Sequence, residues 1–233
     1  MTVRGSAVAR GRRPRRPPSL SSPSSLHGRE VTPAAPSDSL GGESTTREPT
    51  LSIILGYDPY TLRERVDLRA AGERLDELGS LRSLSALNEK TVLLRLLDRL
   101  DEALEAGNEA VRQARFTGDR EQLLAARVRR AQVHQYRGKG DEAIAELTGC
   151  VEEARGRAWT ALEAFAIQTR GKAFFALEEY ESALADLKAA VFLREKLGAS
   201  PSEIEGALTA VAVVQRFSES KRERGEDAAG VSE

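Results

Sequence analysis

Between residues 84 and 216 the apolar positions recur at helical spacing. Leu84, Leu87, Thr91 and Leu94 fall at i, i+3, i+7 and i+10, which places them on one stripe of a helix. Ala103, Gly107, Ala110 and Val111 form a second stripe, with small residues where two helices must approach closely. Breaks separate the stripes at Gly118-Asp119, Gly138 to Gly140, Gly156, and Gly198-Ala199-Ser200-Pro201. Ser200, Pro201 and Glu203 read as an N-cap, a proline in the first turn and an early acid. The pattern predicts eight helices, near 61–78, 84–97, 101–116, 121–136, 141–155, 160–176, 180–197 and 201–216.

The helical pattern itself repeats. Asp101-Glu102-Ala103-Leu104 recurs as Asp141-Glu142-Ala143-Ile144 and as Glu181-Ser182-Ala183-Leu184, a spacing of 40 residues each time. In the same register Ala110, Cys150 and Ala190 align, as do Val111, Val151 and Val191. So do Leu84, Leu124, Ala164 and Ile204; Leu94, His134, Phe174 and Val214; and the mostly small column Thr91, Ala131, Gly171 and Val211. Six columns at one period imply a tandem array of helix pairs, hence an all-α chain.

The run from Gly171 to Leu184 resembles the core of a tetratricopeptide repeat (TPR). In that family a small residue and an aromatic in the first helix pack against an aromatic and an alanine opening the second. Gly171, Phe174, Tyr180 and Ala183 fill those places, and Ala190 fills the later small position. The 40-residue period resembles the longer variety of the repeat. The resemblance covers about residues 84–216 and implies a right-handed α-solenoid of antiparallel helix pairs. It would hold three full repeats, with a half-repeat at 61–78 in front and a capping helix at 201–216 behind. The middle unit departs from the pattern. Arg127 stands where Leu87 and Ile167 pack, which an arginine tolerates if its stem covers apolar surface and its head reaches water. Gly140 replaces the aromatic found at Tyr180.

Composition changes this picture only at the ends. Residues 1–50 carry 8 Arg against 4 acids and are rich in Pro and Ser, so they are expected to form a disordered arm. The repeat domain is then 51–217, and polar, Gly-broken residues 218–233 are expected to form a loose tail. The net charge of -1 gives no bulk attraction to nucleic acid or anionic membrane. No apolar run reaches the length of a membrane span, which makes the cytoplasm the expected location. The excess of Arg over Lys (29 to 6) suggests a GC-rich bacterial source. An organelle transit peptide, or translated upstream sequence after a misassigned start, remains an alternative account of the basic N-terminus.

Candidate chemistry is sparse. Cys150 and His134 sit in columns otherwise filled by packing residues, and His27 lies in the expected arm, so no metal, cofactor or catalytic residue is assigned. No phosphate loop or nucleophile elbow appears, and no enzyme is expected. Arg127, Arg130, His134 and Arg137 form a basic stripe expected to pair with acids such as Glu142 and Glu146.

The TPR resemblance implies that the first helices line a concave groove for a peptide or partner surface. The corresponding stripes are Ser85, Asn88, Val92 and Arg95; Ala125, Val128, Gln132 and Gln135; and Phe165, Gln168, Lys172 and Phe175. From these, Asn88, Arg95, Gln132, Gln135, Phe165, Gln168, Lys172 and Phe175 are the candidate partner-binding residues. Amides suit a peptide backbone because each offers donor and acceptor. Arg95 and Lys172 suit a carboxylate, and the two phenylalanines suit apolar side chains. The subfamily that captures acidic chaperone tails needs a Lys, Asn and Arg set. Here Asn88, Val92, Arg129, Phe165 and Thr169 hold those places, so that specificity is not expected. The expected role is a non-catalytic interaction scaffold or adaptor. Nucleic-acid association through the basic arm and self-association through an uncapped end of the stack stand as alternatives.

Overall fold

The computed structural model describes residues 53–230, with side chains through residue 224. Two short strands, β1 (Ile54–Tyr57) and β2 (Glu64–Val66), precede eight helices. These are α1 (Leu68–Leu78), α2 (Leu84–Leu96), α3 (Leu100–Thr117), α4 (Arg120–Tyr136), α5 (Gly140–Gly156), α6 (Thr160–Ala176), α7 (Tyr180–Lys196) and α8 (Pro201–Gly230). Each helix packs on the next from α1 to α8, and α2 also touches α4, which touches α6. The expected arm at 1–50 lies outside the described residues.

The 40-residue period is written into burial. Ala103, Ala143, Ala183 and Cys150 are completely enclosed; Ala110 and Ala190, in the column of Cys150, nearly so; Val111, Val151 and Val191 follow on the same faces. It is also written into the turns. Asp98, Gly138 and Glu178 all adopt positive φ, at 59°, 77° and 60°. The next residue in each case, Arg99, Lys139 or Glu179, donates its N–H to the carbonyl five positions back. Those carbonyls belong to Leu94, His134 and Phe174, so each first helix closes with the same Schellman turn. This geometry leads straight into the next helix, and α3, α5 and α7 accordingly have no side-chain N-cap. α6 likewise lacks a side-chain cap and follows a turn at Ala158 (φ 57°), where Trp159 donates to the Ala154 carbonyl at 3.0 Å. Side chains cap α1, α2, α4 and α8. Asp67, Ser83 and Asp119 accept from the third residue on, and Ser200 and Glu203 form a reciprocal capping box.

The middle unit's departures have physical explanations. A Cβ on Gly140 would lie 2.8 Å from Leu177 Cδ2, so a leucine from the following unit fills the space that an aromatic would take. Arg127 reaches Glu153 (3.0 Å) and Glu146 (3.6 Å), exporting its charge along the surface. Arg130 pairs with Glu146, and forty residues later Arg170 pairs bidentately with Asp186 at 2.7 and 2.9 Å. Arg137 bonds Asp101 at 2.8 Å, so the arginines of the basic stripe pair locally, while His134 Nδ1 lies 3.6 Å from Glu142 without a hydrogen bond among the described residues.

Two expectations are corrected. The first helix does not begin at 61 but at Leu68, because residues 54–66 form a hairpin. Asp58 Oδ1 accepts from the backbone of Tyr60 and Thr61 and from the Thr61 hydroxyl, turning the chain at Asp58-Pro59 before a helix can start. The last helix does not end at 216 but continues through Gly230, into the polar segment. Ser218 is buried and donates to Glu181 (3.0 Å), and Arg222 pairs with the same carboxylate, so polar contacts to α7 carry the helix on.

Candidate functional site

The hairpin lies against the face of α2, α4 and α6 where a groove is expected. Its register pairs Tyr57 with Glu64, Gly56 with Arg65 and Ile54 with Val66, with a bulge at Leu55. Two apolar residues, Ile53 just before β1 and Leu62 in the connection between the strands, anchor it at opposite ends of the helical array. Ile53 packs with Ala71, Leu78, Ala86 and Leu93 near α1 and α2. Leu62 packs with Phe175, Leu187 and Val214 near α6, α7 and α8. Complete burial of such side chains stabilises by about 1.5–3 kcal/mol each. A two-stranded hairpin is marginal alone, so docking is what holds this one in shape.

Glu64 is the centre of the site. Its side chain is 7% exposed, against 4% for Arg95 and 10% for Lys172. Arg95 Nη1 donates to Glu64 Oε2 at 3.0 Å, Tyr136 donates its phenol to the same oxygen, and Lys172 Nζ lies 3.4 Å from Oε1. Three helices thus converge on one carboxylate: α2 through Arg95, α4 through Tyr136 and α6 through Lys172. The Arg95 and Arg63 guanidiniums lie over the Tyr136 ring, each 4.6 Å from its centre. The Tyr57 ring takes the Lys172 ammonium at 4.2 Å.

The electrostatics follow from burial opposed by charge. Burial alone would raise the Glu64 carboxyl, but Arg95, Lys172 and the Tyr136 hydroxyl hold it far below the usual range. Arg95 is likewise disfavoured by burial and more than compensated by Glu64. Lys172 is pushed down, first by burial and then by Arg95, with Glu64 opposing. Burial pushes the Tyr136 phenol up, so it stays a donor.

Beside this cluster a pocket of about 220 Å³ remains. Arg95, Gln132, Phe165, Gln168 and Lys172, five of the eight predicted groove residues, line it together. Ile54, Tyr57 and Glu64 of the hairpin form its other wall. Arg194 enters from α7 and donates to Gln168 Oε1, and Arg129 lies over the Phe165 ring at 5.6 Å. The other three candidates fall elsewhere. Gln135 donates to the Lys172 carbonyl at 3.2 Å and ties α4 to α6. Phe175 is interior, packed against Tyr180 and Phe217 at 5.7 and 5.3 Å. Asn88 is half-buried away from the pocket, and its side-chain oxygen accepts no hydrogen bond among the described residues.

Cys150 is completely enclosed and burial pushes its thiol up to about 11, which disfavours the reactive thiolate. Burial also lowers His134, against the pull of Glu146 and Glu142. Among the described residues, no helix is long and apolar enough to cross a membrane.

No protein-family model matches the chain, and no curated protein is significantly similar to it.

Proposed function

We propose that the chain is a TPR-like α-solenoid of the long-repeat variety that serves as a non-catalytic interaction scaffold. In this reading the face of α2, α4 and α6 is a concave groove that takes an extended segment of a partner protein. One observation carries it: the groove face already holds an extended segment, with Arg95, Tyr136 and Lys172 closed on its carboxylate. Strand-like segments seated by side-chain contacts to a helical face are what such a groove is built to accept. Gln132 and Gln168, which line the same pocket, add donors and acceptors suited to a peptide backbone. The enclosed Cys150 supports a packing role for the one residue that would otherwise suggest nucleophilic chemistry. A cytoplasmic adaptor or the sensing part of a regulatory assembly fits these features.

The test is affinity purification from the native host with the full chain and with a Gln132→Glu/Gln168→Glu double variant. The reading expects the variant to lose its co-purifying partner while its helical circular dichroism is unchanged. An unchanged set of captured proteins would contradict the groove assignment.

A further inference from the structure

The hairpin's way of filling the groove contains information about the partner. Among the described residues its only strand pairing is internal, β1 with β2, and no larger sheet fixes it in place. It is held by side chains: Ile53 and Leu62 at its ends, and Glu64 at its middle. Its outer surface stays open to water, with Leu55 and Tyr60 well exposed. The receiving surface is built for an anion. Arg95 and Lys172 are buried cations from different helices, and leaving them together without a counter-charge is costly. The groove therefore requires a carboxylate, and the hairpin supplies one.

Resting on the groove reading above, we propose that hairpin 54–66 is an internal competitor occupying the site of an acidic, extended partner segment. A partner carboxylate takes the place of Glu64 between Arg95, Tyr136 and Lys172. An aromatic side chain beside it takes the place of Tyr57 over the Lys172 ammonium. Ile53 and Leu62 lie outside this polar centre and act as hinges that re-dock the hairpin when the partner leaves. Binding is thus gated: the partner must match the hairpin's chemistry and overcome a competitor present at high effective concentration.

The test uses the full-length chain and, as probe, a fluorescein-labelled synthetic peptide of residues 52–67 of this same sequence. Replacing Glu64→Gln in the protein weakens the internal occupant while leaving the receiving residues intact. The peptide is expected to bind the Glu64→Gln protein about tenfold tighter, or more, than the wild type, because the cis competitor is weakened. A peptide carrying Glu64→Gln is expected to lose that gain, as is a protein that also carries Lys172→Met. Equal binding of the peptide to both proteins, or binding to neither, overturns the proposal and makes the hairpin a fixed part of the fold. If the Gln132→Glu/Gln168→Glu variant still loses its host partner, the groove reading survives that failure. If partner capture is also indifferent to those substitutions, both fall.

Discussion

Glu64 and Arg95 form an ion pair at 3.0 Å, with side chains only 7% and 4% exposed, between a strand and a helix 31 positions apart. The pair joins the one non-helical element described to the first layer of the helical array. Removing one member of a buried pair leaves the other charge stranded, which typically costs several kcal/mol. Glu64→Gln is expected to destabilise by about 2–4 kcal/mol, the lower values applying if the hairpin lifts and rehydrates Arg95 and Lys172. Lys172→Met is expected to cost about 1 kcal/mol or less, since Glu64 keeps Arg95 and Tyr136. Urea unfolding followed by circular dichroism measures both. A larger loss for Lys172→Met would reverse the assigned order.

The same carboxylate imposes a pH dependence. Its folded value is depressed below the ordinary 4.5, so its contribution is complete above that value and is lost as pH falls toward the folded value. Below about pH 4.5 the unfolded chain binds a proton that the folded chain does not, and stability falls. Glu64→Gln lacks this component. The stability gap between wild type and Glu64→Gln is therefore expected to narrow steadily from pH 5 to pH 3, as about 1.4 kcal/mol per pH unit at most. A constant gap over that range would mean that Glu64 is not ionised in the folded site.

Ala158 occupies a positive-φ position (57°) at the turn between α5 and α6. A Cβ is disfavoured there, and Gly198 fills the equivalent turn forty residues later with φ 71°. Ala158 is exposed and touches no core, so Ala158→Gly relieves the strain without loss of packing. It is expected to stabilise by about 0.5–1 kcal/mol and to raise Tm by about 1–4 °C. A calorimetric scan showing a lower Tm would contradict the turn assignment.

Two helical glycines respond oppositely to the same substitution. At Gly107 an added Cβ would make ordinary contacts, the nearest with Thr91 Cγ2 at 3.4 Å. Gly107→Ala is expected to gain about 0.5–1 kcal/mol from helix propensity. At Gly171 the Cβ would meet Leu187 Cγ at 3.0 Å and Asp186 Cβ at 3.2 Å. Leu187 is buried and Asp186 is fixed by Arg170, so neither yields easily. Gly171→Ala is expected to lose about 1–2 kcal/mol despite its better helix propensity. Thermal unfolding of the two variants would show shifts of opposite sign.

The helices after residue 84 were legible because their signal is repeated: a stripe that recurs at a fixed period averages out local ambiguity. The boundaries of α2 through α7 agree with the sequence pattern within a residue or so, and Ser200 and Glu203 form the predicted cap. The hairpin was illegible for the opposite reason. Ile53, Ile54 and Leu55 make too short an apolar run, and β2 has three residues, so neither strand shows a period. Asp58-Pro59 was the available turn signal, and Asp67 the available cap. On the face of α2, α4 and α6, Arg95 and Lys172 were readable as carboxylate-binding residues from their stripe. That their carboxylate is Glu64, 108 positions before Lys172, depends on tertiary contact that no local pattern encodes. Phe175 packs against Tyr180 and Phe217, and Gln135 bonds the Lys172 carbonyl, because a stripe one position off the core also contains side chains that turn inward.

The most direct measurement of the central claim is native-state hydrogen exchange across the full chain. A displaceable hairpin must open without unfolding the helices. The amides of Asp58 and Asp67, which close the hairpin ladder onto Arg63 and Ile53, are expected to exchange about tenfold faster, or more, than those in the middle of α4 and α6. Glu64→Gln is expected to accelerate the hairpin amides more than those helical amides. Hairpin amides that exchange only as fast as the α4 and α6 core, in both proteins, would contradict the account and make the strap an inseparable part of the fold.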